Sequence, residues 1–210
     1  MAWYVAHLGW LARLRGRDDE AMAQGQKALD IADEHENTWW QAAACAMLGT
    51  TVLLRGDRGE ATRLFERGLA AAEESGMEAY LLRCAAPLAE ATGSPDVLAE
   101  ADRLLSQADI SPGGAWLLGD EACLALARAW LDHGEPERSR AILAPLLAVA
   151  ERAPWMPTLA ATLVVDGRAR ARLGEHEPAM TQLVRAKKLA ATHGLPHVLN
   201  DARSALHELT

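Results

Sequence analysis

Residues 8–21 read LGWLARLRGRDDEA, and residues 48–61 read LGTTVLLRGDRGEA. Leu8-Gly9 and Leu48-Gly49 therefore stand 40 residues apart, each pair followed by a Gly seven positions after its own (Gly16, Gly56) and an Ala thirteen positions after its Leu (Ala21, Ala61). A block that recurs at such a period, with small residues held where two helices must touch, is the signature of a helical-hairpin solenoid.

One template extends along the chain: a first helix (A) with a Leu-small pair, a Gly turn, and a second helix (B) with Ala on its inner face. Five units fit, at about residues 3–34, 39–74, 78–108, 116–152 and 158–193. The first two are close copies. The third keeps Leu88-Ala89 and Ala101, but its turn is Gly93-Ser94-Pro95-Asp96, and Pro87 should bend or shorten its A helix. The fourth has Leu126-Ala127 and Gly134; the fifth has Gly167, Gly174, Ala179 and Ala186. The amphipathic stretch 196–209 reads as a capping helix. The expectation is an all-α, right-handed superhelical stack of about five antiparallel helix hairpins plus this cap, forming a single domain over residues 1–210. The pattern begins at Met1 without a capping residue, as in a solenoid cut from a larger protein.

Composition agrees. Half of the 210 residues are hydrophobic, only three are Tyr or Phe, and Ala, Leu, Arg and Glu dominate, which favours helix. The net charge of -8 and the lack of a Lys/Arg block argue against a nucleic-acid surface. With no apolar run of 18 residues, no leader and an odd three cysteines, the chain reads as cytoplasmic, without a membrane partner. Acidic residues gather where B helices should start: Asp18-Asp19-Glu20, Asp57 with Glu60, Glu135 with Glu137, and Glu175 with Glu177. They suit capping and the positive end of the helix dipole. Aromatics recur near the start of A helices, Trp40, Tyr80, Trp116 and Trp155, and should plug gaps between hairpins.

The pattern Leu8-Gly9, Gly16, Ala21, Ala28, its copy Leu48-Gly49, Gly56, Ala61, and Phe65 at the B-helix aromatic position resemble the tetratricopeptide repeat (TPR) family. The period is nearer 40 than 34, and the family's A-helix Trp and Tyr positions hold Val5 and Ala12, then Cys45 and Val52. Long, Ala- and Arg-rich units of this kind resemble the C-terminal helical regions of large ATP-binding bacterial transcriptional activators of the LuxR/MalT type. That resemblance implies a sensor or protein-interaction arm attached to other domains.

No Gly-rich phosphate loop, dinucleotide fingerprint or Gly-x-Ser-x-Gly elbow occurs, so neither a catalytic residue nor a cofactor is expected. Cys45, Cys84 and Cys123 recur every 39 residues, which suggests equivalent buried positions about 10 Å apart, too far for a disulfide between neighbours. His193 and His197 have metal-ligand spacing, but Gly194-Leu195-Pro196 should break the helix between them, so no metal site is expected.

In the resembled family the A helices line a concave groove. Transferred residue by residue, the groove positions are Trp3, His7, Trp10 and Arg13 in unit one, Met47 and Thr50 in unit two, Arg83 and Glu90 in unit three, Glu121 and Arg128 in unit four, and Arg168 and Arg172 in unit five. Exposed Trp with Arg is the composition of an interface hot spot, although Trp3 and Trp10 could equally cover the site of a preceding repeat. The arginines suit an acidic peptide or other anionic ligand, with Glu90 and Glu121 as candidate internal counter-charges. The expected function is a non-catalytic protein- or peptide-interaction module of a bacterial regulator. The alternatives are a small-molecule effector domain of such a regulator and an oligomerisation scaffold, so a homo-oligomer stays open.

Overall fold

The turn glycines read from the sequence fall where helices end, but of the acidic groups expected to cap B helices Asp57 does so, whereas the helices that begin at Asp18 and His176 have Arg17 and Glu175 as N-caps with no side-chain cap bond. The computed structural model describes residues 1–108, 116–152 and 155–209, with side chains from residue 119 onward in the middle segment. Eleven α-helices and no strand occur among the described residues. They group into two compact units divided after Ala108. The first holds α1 (Ala2–Leu14), α2 (Asp18–Glu34), α3 (Thr38–Leu54), α4 (Arg58–Ser75), α5 (Glu78–Thr92) and α6 (Pro95–Gln107). The second holds α7 (Trp116–Asp132), α8 (Pro136–Arg152), α9 (Met156–Arg172), α10 (His176–His193) and α11 (Pro196–Glu208).

Asp57 caps α4 by accepting the Glu60 amide at 3.0 Å, and Asn37 caps α3 by accepting the Trp40 amide at 2.9 Å. Gly194, at φ 65°, ends α10 in the left-handed region, so His193 and His197 lie on separate helices. Pro87 sits inside α5, which has 15 residues against 17 in α3, α7 and α9.

Within each unit, every A helix (α1, α3, α5; α7, α9) packs on its own B helix (α2, α4, α6; α8, α10), and A helices also touch one another in a second layer. In the second unit α11 packs on both α10 and α9, in the place of a further A helix. The small residues of the template make these contacts possible. A Cβ on Gly49 would lie 2.7 Å from Phe65 Cε1, one on Gly167 2.7 Å from Leu183 Cγ, and one on Gly9 3.1 Å from the Ala21 carbonyl. Ala21, Ala61, Ala101 and Ala179 are all buried at the facing B-helix positions.

Two expectations need correction. Cys45 and Cys84 are not held about 10 Å apart: Cys45 Cβ and Cys84 Sγ each lie within 3.0 Å of the point where a Gly68 Cβ would be. The recurrence of 39 is one short of the true 40-residue period, so Cys84 is turned by about 100° around its helix relative to Cys45, and the two converge on the gap that Gly68 leaves. All three cysteines are nevertheless free and buried. The recurring aromatics also fail to share one position. Trp40 and Tyr80 are third in α3 and α5, whereas Trp155 is the N-cap of α9 and Thr158 takes the matching place. The Trp116 side chain lies outside the described residues.

Candidate functional site

On α1, helical spacing puts Trp3, His7 and Trp10 in one stripe, as the sequence predicts. The Trp3 and His7 rings are 3.9 Å apart by centroid, and His7 and Trp10 are 6.3 Å apart. His7 Nδ1 donates to the Trp3 carbonyl at 2.7 Å; because a carbonyl only accepts, the ring proton is at Nδ1. All three side chains are half-buried rather than exposed.

Trp3 is anchored across the unit: its Nε1–H donates to Tyr80 Oη on α5 at 3.0 Å. The bond passes over α3, where Ala42, Ala43 and Ala46 are buried in the same cluster as Tyr80 and leave room for the two rings. Small residues on the middle A helix thus let side chains of the flanking A helices meet across it. Arg83 adds its guanidinium 5.7 Å from the Tyr80 ring centroid, within cation–π range. Burial raises the Tyr80 pKa above its ordinary value.

The remaining predicted positions divide by exposure. Arg13, Met47 and Arg83 are buried; Thr50, Glu90, Glu121, Arg128 and Arg168 are half-buried; Arg172 is exposed. The Thr50 hydroxyl donates to the Ala46 carbonyl at 2.8 Å. In the first unit, Trp10, Thr50 and Glu90 occupy one repeated position on α1, α3 and α5, and all are half-buried. In the second unit, Arg128 and Arg168 hold a matching place on α7 and α9, 40 residues apart. The Nε of Arg168 is buried and has no hydrogen-bond partner.

Sequence reasoning missed a dense polar cluster. Asp166 on α9 is 4% exposed and holds two arginines, Arg140 Nε of α8 at 3.3 Å and Arg170 Nε at 2.7 Å. Both arginines also reach Glu175, at 3.2 and 2.8 Å, and this network raises the Arg170 pKa. A second buried carboxylate, Asp120 on α7, accepts the Thr158 hydroxyl of α9 and the Glu121 amide. The signal for the first was present: Asp166 stands directly before Gly167, where the other Leu-small pairs have Leu8, Leu48, Leu88 and Leu126. No group of three or more His, Cys, Asp or Glu side chains fit to hold a metal occurs among the described residues. No described helix is long and apolar enough to cross a membrane.

No family model matches the chain, and no curated protein does. Among solved structures it is similar to a putative kinesin light chain of Podosopora anserina described as having nearly identical TPR-like repeats. The identity is 18% over 90% of this chain and 95% of that one, with a TM-score of 0.50. A point variant of the same protein aligns at 18% identity over 90% and 94%, with a TM-score of 0.52. The chain has a TPR-like helical-repeat fold. At this identity the likeness speaks for the fold alone, so the roles of side chains in the TPR-like units rest on their own geometry.

Proposed function

We propose that the chain is a non-catalytic interaction module that binds a protein or peptide segment, preferably acidic, on the inner faces of its A helices. The observation that carries this reading is the repeated half-buried A-helix position. It is Trp10, Thr50 and Glu90 in the first unit and Arg128 and Arg168 in the second, amid neighbours that are mostly buried Ala, Leu and Cys. Within each unit, a position that stays accessible from one hairpin to the next is suited to reading a ligand piece by piece. The unpartnered Nε of Arg168 favours an anionic group there, since a carboxylate would supply the missing acceptor and pair with the charge. The long, Ala- and Arg-rich units, with their resemblance to LuxR/MalT-type regulators, support a place in the cytoplasm as the sensor or scaffold arm of a bacterial transcriptional regulator.

The test is titration of the chain with matched acidic, neutral and basic peptides. The acidic series should bind best, and Arg128→Glu with Arg168→Glu should weaken it by about 2 kcal/mol or more, some thirtyfold, without changing the melting temperature. Equal affinity for the three series, or unaltered affinity in the folded double variant, defeats the proposal.

A further inference from the structure

Successive B helices are tied together by a clasp that recurs at one offset. In the first unit Arg67 of α4 pairs with Asp33 near the end of α2, and in the second Arg185 of α10 pairs with Glu151 near the end of α8. Arginine and carboxylate are 34 residues apart in both. Asp33 also accepts the Gln41 side-chain amide of α3 at 2.9 Å. Moved on by the 40-residue period, these three positions become Glu73 on α4, Leu81 on α5 and Gln107 on α6. The carboxylate is kept, and both of its donors are gone. Arg103, the single cation of α6, is taken up by Glu100 at 2.8 Å and by Gln107 at 3.1 Å. Glu73 has no ion pair among the described residues.

Where the clasp is lost, a groove of about 340 Å³ lies between α4 and α6 over α5. Its apolar lining comes from Leu69, Leu81, Ala85, Leu88, Val97 and Leu104. Carboxylates stand exposed on its rim, Glu73 near the end of α4 and Asp96 at the start of α6. Arg103 and Glu100 neutralise each other, so the rim keeps a net negative charge. Both walls and the floor are in place, and the groove is therefore not the seat of a further helix of the array. Its volume is at the lower end of the roughly 300–1,000 Å³ of ligand pockets, which suits one or two side chains. The stretch that follows α6, DISPGGAWLL at residues 109–118, contains no cation with which to restore the clasp.

We propose that this groove is a docking site for a segment of a partner protein that presents an arginine next to an aliphatic side chain. The partner's guanidinium takes on Glu73 the place that Arg67 and Arg185 hold in the other two pairs, with Asp96 as a second carboxylate on the rim. The aliphatic side chain fills the space over Leu81 and Ala85. Charge sets the choice of partner, and apolar burial supplies most of the affinity, because exposed ion pairs contribute little. This surface belongs to the B helices, takes a cation, and stands independently of the A-helix position proposed above for an acidic ligand.

The probe is the capped peptide Gly-Leu-Arg-Leu-Arg-Gly, titrated into the isotope-labelled whole chain and followed by amide chemical shifts. Shifts should concentrate on α5 and α6 around the groove, and a peptide with Glu in place of both Arg should produce none there. Glu73→Gln should weaken binding severalfold. Gln107→Arg restores the clasp within the chain and should also weaken it; together with Leu81→Gln, which returns the residue type that α3 has at that place, the loss should reach at least about tenfold. Glu73 and Gln107 are exposed, so their single variants should keep the parent's melting temperature, and they decide the matter should Leu81→Gln lower it. Arg128→Glu with Arg168→Glu should not weaken this binding, which separates it from the A-helix reading. Absence of binding, shifts confined to other helices, or binding indifferent to both Glu73→Gln and Gln107→Arg overturns the proposal. So does Glu73-dependent self-association in sedimentation, which would assign the groove to a second copy.

Discussion

Asp166→Leu would give the fifth unit the residue type that the other Leu-small pairs carry, and we expect it to destabilise the protein. The carboxylate is buried between Arg140 and Arg170, whose side chains are only 30% and 21% exposed. Removing one partner from a buried ion pair costs about 3–5 kcal/mol, because the charges left behind stay poorly solvated. Two features reduce that figure. Both arginines keep Glu175, and burying a Leu side chain returns about 1.5–3 kcal/mol of apolar transfer. The net expectation is a loss of about 1–3 kcal/mol. Arg140 and Asp166 are related by the same 26-residue offset as Met22 and Leu48, which belong to one apolar cluster. Arg140→Met together with Asp166→Leu should therefore rebuild an apolar contact and bring stability within about 1 kcal/mol of the parent, since buried ion pairs are replaceable by packed apolar groups. Denaturant unfolding of the four chains of this cycle, with amide exchange of α9 to localise the change, measures the coupling. If Asp166→Leu alone costs nothing, or the double variant loses the sum of the single losses, the assigned network is wrong.

Other expectations follow from single contacts. Gly→Ala inside a helix normally stabilises by about 0.5–1 kcal/mol, but Gly49→Ala should cost about 1–3 kcal/mol in a thermal melt, because its Cβ meets the Phe65 ring at 2.7 Å. Phe65→Leu in the same chain should restore part of it. Trp3→Phe removes the donor to Tyr80 and should cost about 1 kcal/mol, a loss that should shrink in a Tyr80→Phe background. Burial pushes the Cys45 and Cys123 thiols up to about 12 and raises Cys84 as well, so none should react with a disulfide reagent at pH 8 until the chain unfolds. Above the ordinary thiol value of 9.0 the unfolded chain gives up protons that the folded one keeps. Alkaline stability should then fall by up to about 1.4 kcal/mol per pH unit per thiol between pH 9 and 12, and Cys45→Ala should flatten that slope.

The repeat made the architecture legible because the residues that set it act locally. Gly16, Gly56 and Gly174 mark turns, Asp57 caps, and Gly49 and Gly167 admit the partner B helix, all within one hairpin. A 40-residue comparison therefore located them. It could not locate contacts that depend on how hairpins stack. Trp3 and Tyr80 are 77 residues apart, and their bond exists only because two hairpins are in place and α3 is small where the rings meet. The same holds for Arg13 and Arg83, placed on the groove by register and found buried. Register gives the direction of a side chain from its own helix, whereas exposure is decided by the neighbouring hairpin.

Departures from the template carry the information that the template itself lacks. At the B-helix position where the other units have Ala21, Ala61, Ala101 and Ala179, the fourth has Ser139, fully buried with its hydroxyl unpartnered. One residue further along the same helix is Arg140, which reaches Asp166. A Ser that forgoes a hydrogen bond and an Asp that replaces Leu both work against stability taken alone. Both stand on the facing α8 and α9, on which Arg168 also leaves a buried donor open. Polar substitutions that weaken a repeat and yet cluster at one pair of helices are expected where specificity of pairing or of ligand outweighs stability. Asp166 and Ser139 thus mark the contact of α8 with α9 as a place where the chain departs from its own template, while Trp3 on α1 is committed to Tyr80.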